Sequence, residues 1–148
     1  MHHLLILGCS QRKTHIQGEA RAYLVYDGPL FRILRKARKT LGLGSLDVYI
    51  LSAKHGLIWE GNPIEDYDQE MTTARSLELQ PGVSRTVMGI LKVHEWASVF
   101  IALTPRYLNC FTMGVQNKLD SMGYRVRYAH GPIGQRGKQL RVWLEKLK

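Results

Sequence analysis

Two short apolar runs, each followed by a turn of small and polar residues, constrain the fold of this chain more than any other feature. They are residues 4–7 (Leu-Leu-Ile-Leu) and residues 48–51 (Val-Tyr-Ile-Leu). A continuous apolar run of this length, without polar alternation, is typical of a strand that is covered on both faces, as in a parallel sheet. The sequence therefore predicts a parallel sheet flanked by helices.

Amphipathic segments alternate with the apolar runs. The clearest is a helix predicted over 29–41, where Pro29 suits the first helical position. Its apolar face is formed by Leu30, Leu34, Ala37 and Leu41, and its basic face by Arg32, Arg35, Lys36 and Lys39. That spacing predicts one face packed on the sheet, with the basic face either solvated or in contact with a phosphate backbone.

The same patterns assign the rest of the chain. The predicted strands cover about 3–8, 47–52, 98–103 and 124–129, and the other predicted helices cover about 73–79, 81–95, 106–122 and the stretch after 137. We expect the segment 53–73 to be an irregular functional loop, and 124–129 to be an edge strand. Together these elements predict a single three-layer α/β/α domain over 1–148, with a mainly parallel central sheet of about four strands.

The charge and composition of the chain indicate which classes of binding partner to expect. Lys and Arg total 21 against 12 Asp and Glu, a formal charge of +9, which favours a nucleic acid or a nucleotide as partner. No apolar run reaches the roughly 20 residues of a membrane span, so we expect a cytoplasmic protein without membrane contact. Two distant cysteines predict neither a disulfide framework nor a cysteine zinc site, and no cofactor or metal is expected.

Polar residues follow both apolar runs at the point where each strand ends. Cys9, Ser10 and Lys13 follow the first strand, and Ser52, Lys54 and His55 follow the second. Because ligands bind beyond the carboxyl ends of the strands in open α/β sheets, these side chains are predicted to line one cleft. The alternative is that both serines cap the elements that follow and that both lysines are solvated.

Three residues are candidates for catalysis. His55 suits acid–base work near neutral pH, Asp68 is a candidate acid or base in an acidic segment, and the thiolate of Cys9 would be favoured by Arg12 and Lys13. The predicted binding residues are Ser10, Lys13, Tyr26, Ser52, Lys54, Tyr67, Gln135 and Arg136. For Asp68 the alternative is a solvated loop acid, and for the glycine-rich segment around Gln135 and Arg136 it is a simple turn.

Several motifs together resemble a family. They are Gly8-Cys9-Ser10 with Lys13, Tyr26-x-Gly28-Pro29-Leu30-Phe31, Leu51-Ser52-Ala53-Lys54-His55-Gly56-Leu57, Tyr67-Asp68, and Gly134-Gln135-Arg136 before a helix with Trp143. This combination resembles a bacterial and phage domain family of unknown function that is grouped with the peroxide-stress protein YaaA. The resemblance implies DNA binding and protection from oxidative damage. More distantly it implies an architecture similar to uracil-DNA-glycosylase-like domains and to the lyase domain of archaeosine synthase.

The resemblance does not extend to one mechanism. Cys9 and Ser10 occupy the loop where uracil-DNA glycosylases carry a water-activating Asp, which argues against hydrolysis of that type.

Three functions remain open from the sequence. The first is an enzyme-like domain that binds or acts on a nucleobase, nucleotide or modified nucleic acid, with Tyr26 or Tyr67 stacking on a base. The second is a non-catalytic basic protein that binds DNA or RNA, in stress or phage defence biology. The third is a small-molecule sensor, or a toxin or defence component.

Overall fold

A computed structural model describes residues 1–9, 18–65 and 67–147. Its strands are β1 (His2–Gly8), β2 (Glu19–Arg21), β3 (Leu46–Ser52), β4 (Gly56–Trp59), β5 (Pro63–Glu65), β6 (Trp96–Ala102) and β7 (Val126–Tyr128). Its helices are α1 (Ala22–Val25), α2 (Pro29–Leu41), α3 (Thr73–Val93), α4 (Pro105–Leu108), α5 (Met113–Ser121) and α6 (Ile133–Glu145).

The fold is mixed α/β around a five-stranded sheet in the order β4-β3-β1-β6-β7. β1 pairs in parallel with β3 and β6, β6 pairs in parallel with β7, and only β4 runs antiparallel in this sheet. The prediction of a mostly parallel sheet is confirmed, whereas the expected number of strands was one too low. None of the described helices has the length and apolar character needed to cross a membrane.

β1 occupies the centre of the sheet because its apolar run has two hydrophobic faces. Residues 4–7 are 0% exposed. Leu4 and Ile6 pack into one core cluster together with residues of α3 and α5. Leu5 and Leu7 pack into a second cluster with residues of α2 and α6. Alternate side chains of one strand therefore join two separate cores, as the pleat of a strand requires.

The prediction of an irregular loop over 53–73 was wrong in part. β4 pairs with β3 at the sheet edge, and β5 pairs with β2 in a separate two-stranded sheet. The turn into β4 depends on Gly56, whose φ of +74° is open mainly to glycine. Strands of three or four residues among acids and turn residues are too short to give a clear periodic signal.

Helix boundaries were also corrected. The helices expected at 73–79 and 81–95 are the single helix α3, with Pro81 inside it on the exposed side. Conversely, the helix expected at 106–122 is divided into α4 and α5, because Thr112 caps a new helix by accepting a hydrogen bond from the amide of Val115. β7 is shorter than expected and follows a 3₁₀ turn at 123–125.

The basic face of α2 is partly used to hold neighbouring loops. Arg32 and Arg35 both pair with Asp27, at 3.0 and 2.7 Å. Arg38 forms a two-pronged ion pair with Glu60, whose side chain is only 10% exposed. These guanidinium groups therefore act as structural ties between α2 and the segments that surround it.

Replacing Arg38 by Ala is expected to lower the free energy of unfolding by on the order of 2 kcal/mol. The change leaves the Glu60 carboxylate nearly buried without its cation, and the partial exposure of Arg38 keeps the loss below the roughly 3–5 kcal/mol of a fully buried pair. Arg32→Ala is the matched control and should cost less, since the Arg32 side chain is 52% exposed. Denaturant unfolding of both variants measures the difference, and equal losses would contradict this account.

Candidate functional site

A group of phenol, hydroxyl, thiol and cationic side chains lies where β1, β3 and β6 end. We call it the tyrosine cluster and define it as Cys9, Tyr26, Ser52, Tyr67 and Tyr107, with Lys54 and His55 at its exposed margin. It brings together six of the residues predicted from the sequence and adds Tyr107.

The sheet itself positions Cys9. Its backbone amide donates to the carbonyl of Leu51 at 2.9 Å, which continues the parallel pairing one residue beyond β1. The Cys9 Sγ then lies 3.0 Å from the hydroxyl of Tyr107, in α4. A Cβ on Gly8 would stand 3.7 Å from the Tyr107 ring, so the ring packs directly over the end of β1.

Ser52 organises the other half of the cluster. It is the last residue of β3 and is fully buried, and its Oγ accepts hydrogen bonds from the amides of Lys54 at 3.2 Å and His55 at 3.1 Å. The same Oγ lies 2.7 Å from the hydroxyl of Tyr67. The side chain of Ser52, the last residue of β3, thereby fixes the turn that follows this strand.

The two amide donors to Ser52 indicate the direction of its bond to Tyr67. Both lone pairs of the Ser52 Oγ are occupied by amide donors, so its own proton is donated to the hydroxyl oxygen of Tyr67. The hydroxyl of Tyr67 also lies 2.5 Å from the hydroxyl of Tyr26. The cluster thus contains a chain of hydroxyl groups that runs from the buried turn to Tyr26.

Tyr26 is 0% exposed and is held from α2. Arg35 donates one hydrogen bond to the carbonyl of Tyr26 at 3.0 Å and another to the carbonyl of Tyr23 at 3.1 Å. The ring of Tyr26 packs on Phe31 with 5.3 Å between centroids. Arg35 belongs to the basic face that the sequence left open to phosphate contact, and here it positions a residue of the cluster.

Lys54 and His55 are exposed and approach the half-buried ring of Tyr67. The Lys54 Nζ lies 5.7 Å from the ring centroid, within the range of a cation–π contact. The imidazole of His55 meets the same ring edge-on at 5.3 Å. Arg75 of α3 fixes this turn by donating to the carbonyls of Ala53 at 2.7 Å and Lys54 at 3.0 Å.

Burial keeps the phenols of the cluster protonated. Burial raises the pKa of Tyr26 to about 12, and it also raises the pKa values of Tyr67 and Tyr107, which negative charge on Cys9 would raise further. Burial and the neighbouring charge of Lys54 lower the pKa of His55. At neutral pH the cluster therefore offers neutral hydroxyl groups and a neutral imidazole beside an exposed ammonium group.

The remaining predicted site residues are placed differently. Arg136 lies at the same end of the sheet, because its guanidinium donates to the carbonyl of Leu103 just beyond β6, at 3.3 Å. Gln135 folds over Gly131, and Asp68 is exposed and forms no hydrogen bond or ion pair with the described residues. Ser10 and Lys13 lie outside the described residues.

Sequence reasoning missed Tyr107 and Arg75. Tyr107 follows the third apolar strand by a few residues, so the argument from strand ends that selected Cys9 and Ser52 would also have selected it. Arg75 gave no such signal, because a single arginine in the first turn of a helix does not indicate which distant carbonyl groups it will bind.

One further group of potential metal ligands lies at the opposite end of the sheet. Side-chain atoms of His2, Asp47 and His94 lie within 4.8 Å of one another. However, the two imidazole rings are stacked in parallel at 3.6 Å, and Trp96 meets His94 edge-on. Lone pairs of imidazole lie in the ring plane, so stacked parallel rings direct them within two separate planes rather than toward one ion. The arrangement is that of an aromatic stack.

The chain is a mixed α/β protein with a mostly parallel sheet and polar side chains gathered at its strand ends, a class in which ligands commonly bind at that edge. Within this class, the chain belongs to a family of unknown function (DUF6884), whose family model matches residues 4–143. The prediction of a family of unknown function is thereby confirmed. A search of curated proteins finds no match to the chain.

The folded protein is expected to resist ionisation of its buried tyrosines. Between pH 10 and about 12 the unfolded chain releases a proton that Tyr26 retains when folded, so stability falls as the pH rises through this window. Ultraviolet absorbance after a rapid pH jump should show fewer than the seven tyrosines ionising near pH 10. The chain in guanidinium is the control, and titration of all seven in one step by the folded protein would contradict the burial argument.

Proposed function

We propose that the chain binds, and acts on, a nucleobase, a nucleotide or a modified nucleic acid in a cleft at the tyrosine cluster. The proposal takes the helices to cover both faces of the sheet in three layers, which the two separate core clusters support. In such an arrangement the strand ends are the edge of the sheet that a ligand reaches.

The observation that carries the proposal is the environment of Tyr67. Its hydroxyl is fixed by Ser52 and Tyr26, while its ring is approached by Lys54 and His55. A fixed, half-buried aromatic ring beside an exposed ammonium group suits a ligand that combines a planar base with a negative charge. The neutral hydroxyl groups of the cluster suit the polar edge of a base.

The chemistry proposed for this site is proton transfer. His55 is the base, since its lowered pKa keeps the imidazole neutral and able to accept a proton near pH 7. Asp68 is the second acid–base candidate, next to Tyr67 in sequence, and Cys9 is the candidate nucleophile at the end of β1. Lys54, Lys13 and Arg136 would bind phosphate, with Ser10 and Gln135 as further polar contacts.

The resemblance to YaaA-related proteins and to uracil-DNA-glycosylase-like domains supports the same ligand class. It rests on the motifs around Cys9, Ser52, Lys54 and Tyr67. All four of these residues belong to the tyrosine cluster or its exposed margin.

Lys54→Ala is expected to abolish stabilisation by a small ligand while leaving the fold intact, because the Lys54 side chain is exposed. A thermal-shift screen against nucleobases, nucleosides, nucleotides and short oligonucleotides, at low and high salt, makes the measurement. A ligand at a hundred times its Kd stabilises the folded state by about 2.7 kcal/mol. Lys118→Ala, an exposed lysine on α5, is the matched control.

The outcome separates this function from the alternative of a non-catalytic basic protein. A base or nucleotide that stabilises the wild type and Lys118→Ala at both salt concentrations, but not Lys54→Ala, supports the cleft. Stabilisation by polynucleotides alone and only at low salt, equal in both variants, would contradict it and favour backbone binding. In that case the net charge of +9 would be the relevant feature.

A further inference from the structure

We propose that a second site, separate from the tyrosine cluster, binds single-stranded nucleic acid. The site is a cavity of about 720 Å³ between α6 and the edge of the sheet formed by β6 and β7. Its volume falls within the roughly 300–1,000 Å³ typical of ligand sites. We call it the edge cavity.

The lining of the edge cavity combines cations with aromatic rings. The cations are Arg125, Arg127, Lys138 and Lys146, and the aromatic residues are Phe100, Tyr124, Tyr128 and Trp143. A basic groove with aromatic rings is the arrangement by which proteins bind single strands, since cations contact the phosphates and rings stack on the bases.

Among the described residues, no Asp or Glu lines the edge cavity beside its cations. Within the described ranges, the ion pairs of arginine involve Arg32, Arg35, Arg38 and Arg75, all outside the cavity. Burial raises the pKa of Tyr128 and the charge of Asp120 raises it further, but Asp120 does not line the cavity. The surface therefore retains an excess of positive charge that favours a polyanion.

The same charge argues against a second copy of this chain as the occupant. In a two-fold symmetric contact each copy would present the same surface to the other. The four cations that line the cavity of each copy would then face those of the other copy, which is unfavourable. A nucleic acid strand brings the opposite charge.

Two tyrosines at the mouth of the edge cavity are positioned for stacking. Tyr124 is 91% exposed, in the 3₁₀ turn that precedes β7, and Tyr128 is 39% exposed. Tyr124 therefore contributes little to the core, and its ring is open to a partner. Stacking of a base on such a ring tolerates every sequence, because every base has a planar face.

The edge cavity shares no residue with the tyrosine cluster. His3 and Ser98, which line it, lie near the starts of β1 and β6, whereas Cys9 and Ser52 lie at strand ends. A nucleic acid strand bound at the edge cavity could thus be held independently of any ligand at the tyrosine cluster. The two proposals are consequently tested by substitutions at different residues.

Fluorescence anisotropy of a labelled oligothymidylate of about eight nucleotides tests this site, a length within the range that single-strand-binding folds cover. Tyr124→Ala should weaken binding about tenfold through lost stacking, while Tyr124→Phe should bind like the wild type. Arg127→Ala should reduce the slope of log affinity against log salt by about 0.7, the value for one phosphate contact on a single strand.

Arg85→Ala is the matched control for charge, since Arg85 is exposed on α3 and does not line the edge cavity. It should leave the salt slope unchanged. Inorganic polyphosphate and polyglutamate serve as competitors without bases and should displace the oligonucleotide less well than unlabelled oligothymidylate.

Several results would overturn the proposal. These are an absence of binding by the wild type at low salt, wild-type affinity in Tyr124→Ala, or equal effects of Arg127→Ala and Arg85→Ala. Displacement by polyglutamate as effective as by oligothymidylate would instead indicate an acidic protein partner. Sedimentation analysis in which Tyr124→Ala dissociates an oligomer would indicate a second copy of the chain.

Discussion

The complete burial of β1 is the constraint on which the rest of the structure depends. Residues 4–7 are apolar without interruption, so neither face of this strand can be left to water. Leu4 and Ile6 require one layer of apolar side chains, and Leu5 and Leu7 require another. Strands on both sides satisfy the backbone of β1, and the parallel pairing places the ends of β1, β3 and β6 at one edge.

That edge explains why polar groups can be buried at the tyrosine cluster. A buried hydroxyl is costly unless it is hydrogen-bonded, and Ser52 meets this requirement with two amides of its own turn and with Tyr67. Tyr26 is held in turn by Tyr67 and through the backbone by Arg35. The cluster is therefore rigid where it contacts the core, and its cations remain at the exposed margin. Such a division suits a pre-formed site more than a mobile one.

The sequence predicted those parts of the fold whose signal is periodic and local. Residues 29–41 were expected as a helix and form α2 with the same bounds, and the long apolar strands were recognised. The short strands β2, β4 and β5 were missed because three or four residues carry too little pattern. Four residues of the cluster and its margin were selected from two strand ends, and the same argument applied to the third strand would have found Tyr107. Arg75 binds distant carbonyl groups through long-range packing, which local pattern does not encode. The roles assigned to these residues stay predictions.

The positively charged residues of the chain form two groups, one paired with carboxylates and one that lines the edge cavity. Composition alone does not distinguish them. Arg32, Arg35 and Arg38 face carboxylates and tie α2 to neighbouring loops, so their charge is largely used within the fold. The cations of the edge cavity, Arg127 among them, are gathered without an acid in the lining. Like charges held close together repel one another, and an isolated fold gains nothing from collecting them. A concentration of cations beside exposed rings, with no acid in the described lining, is therefore the observation on which the proposal of an external polyanion rests.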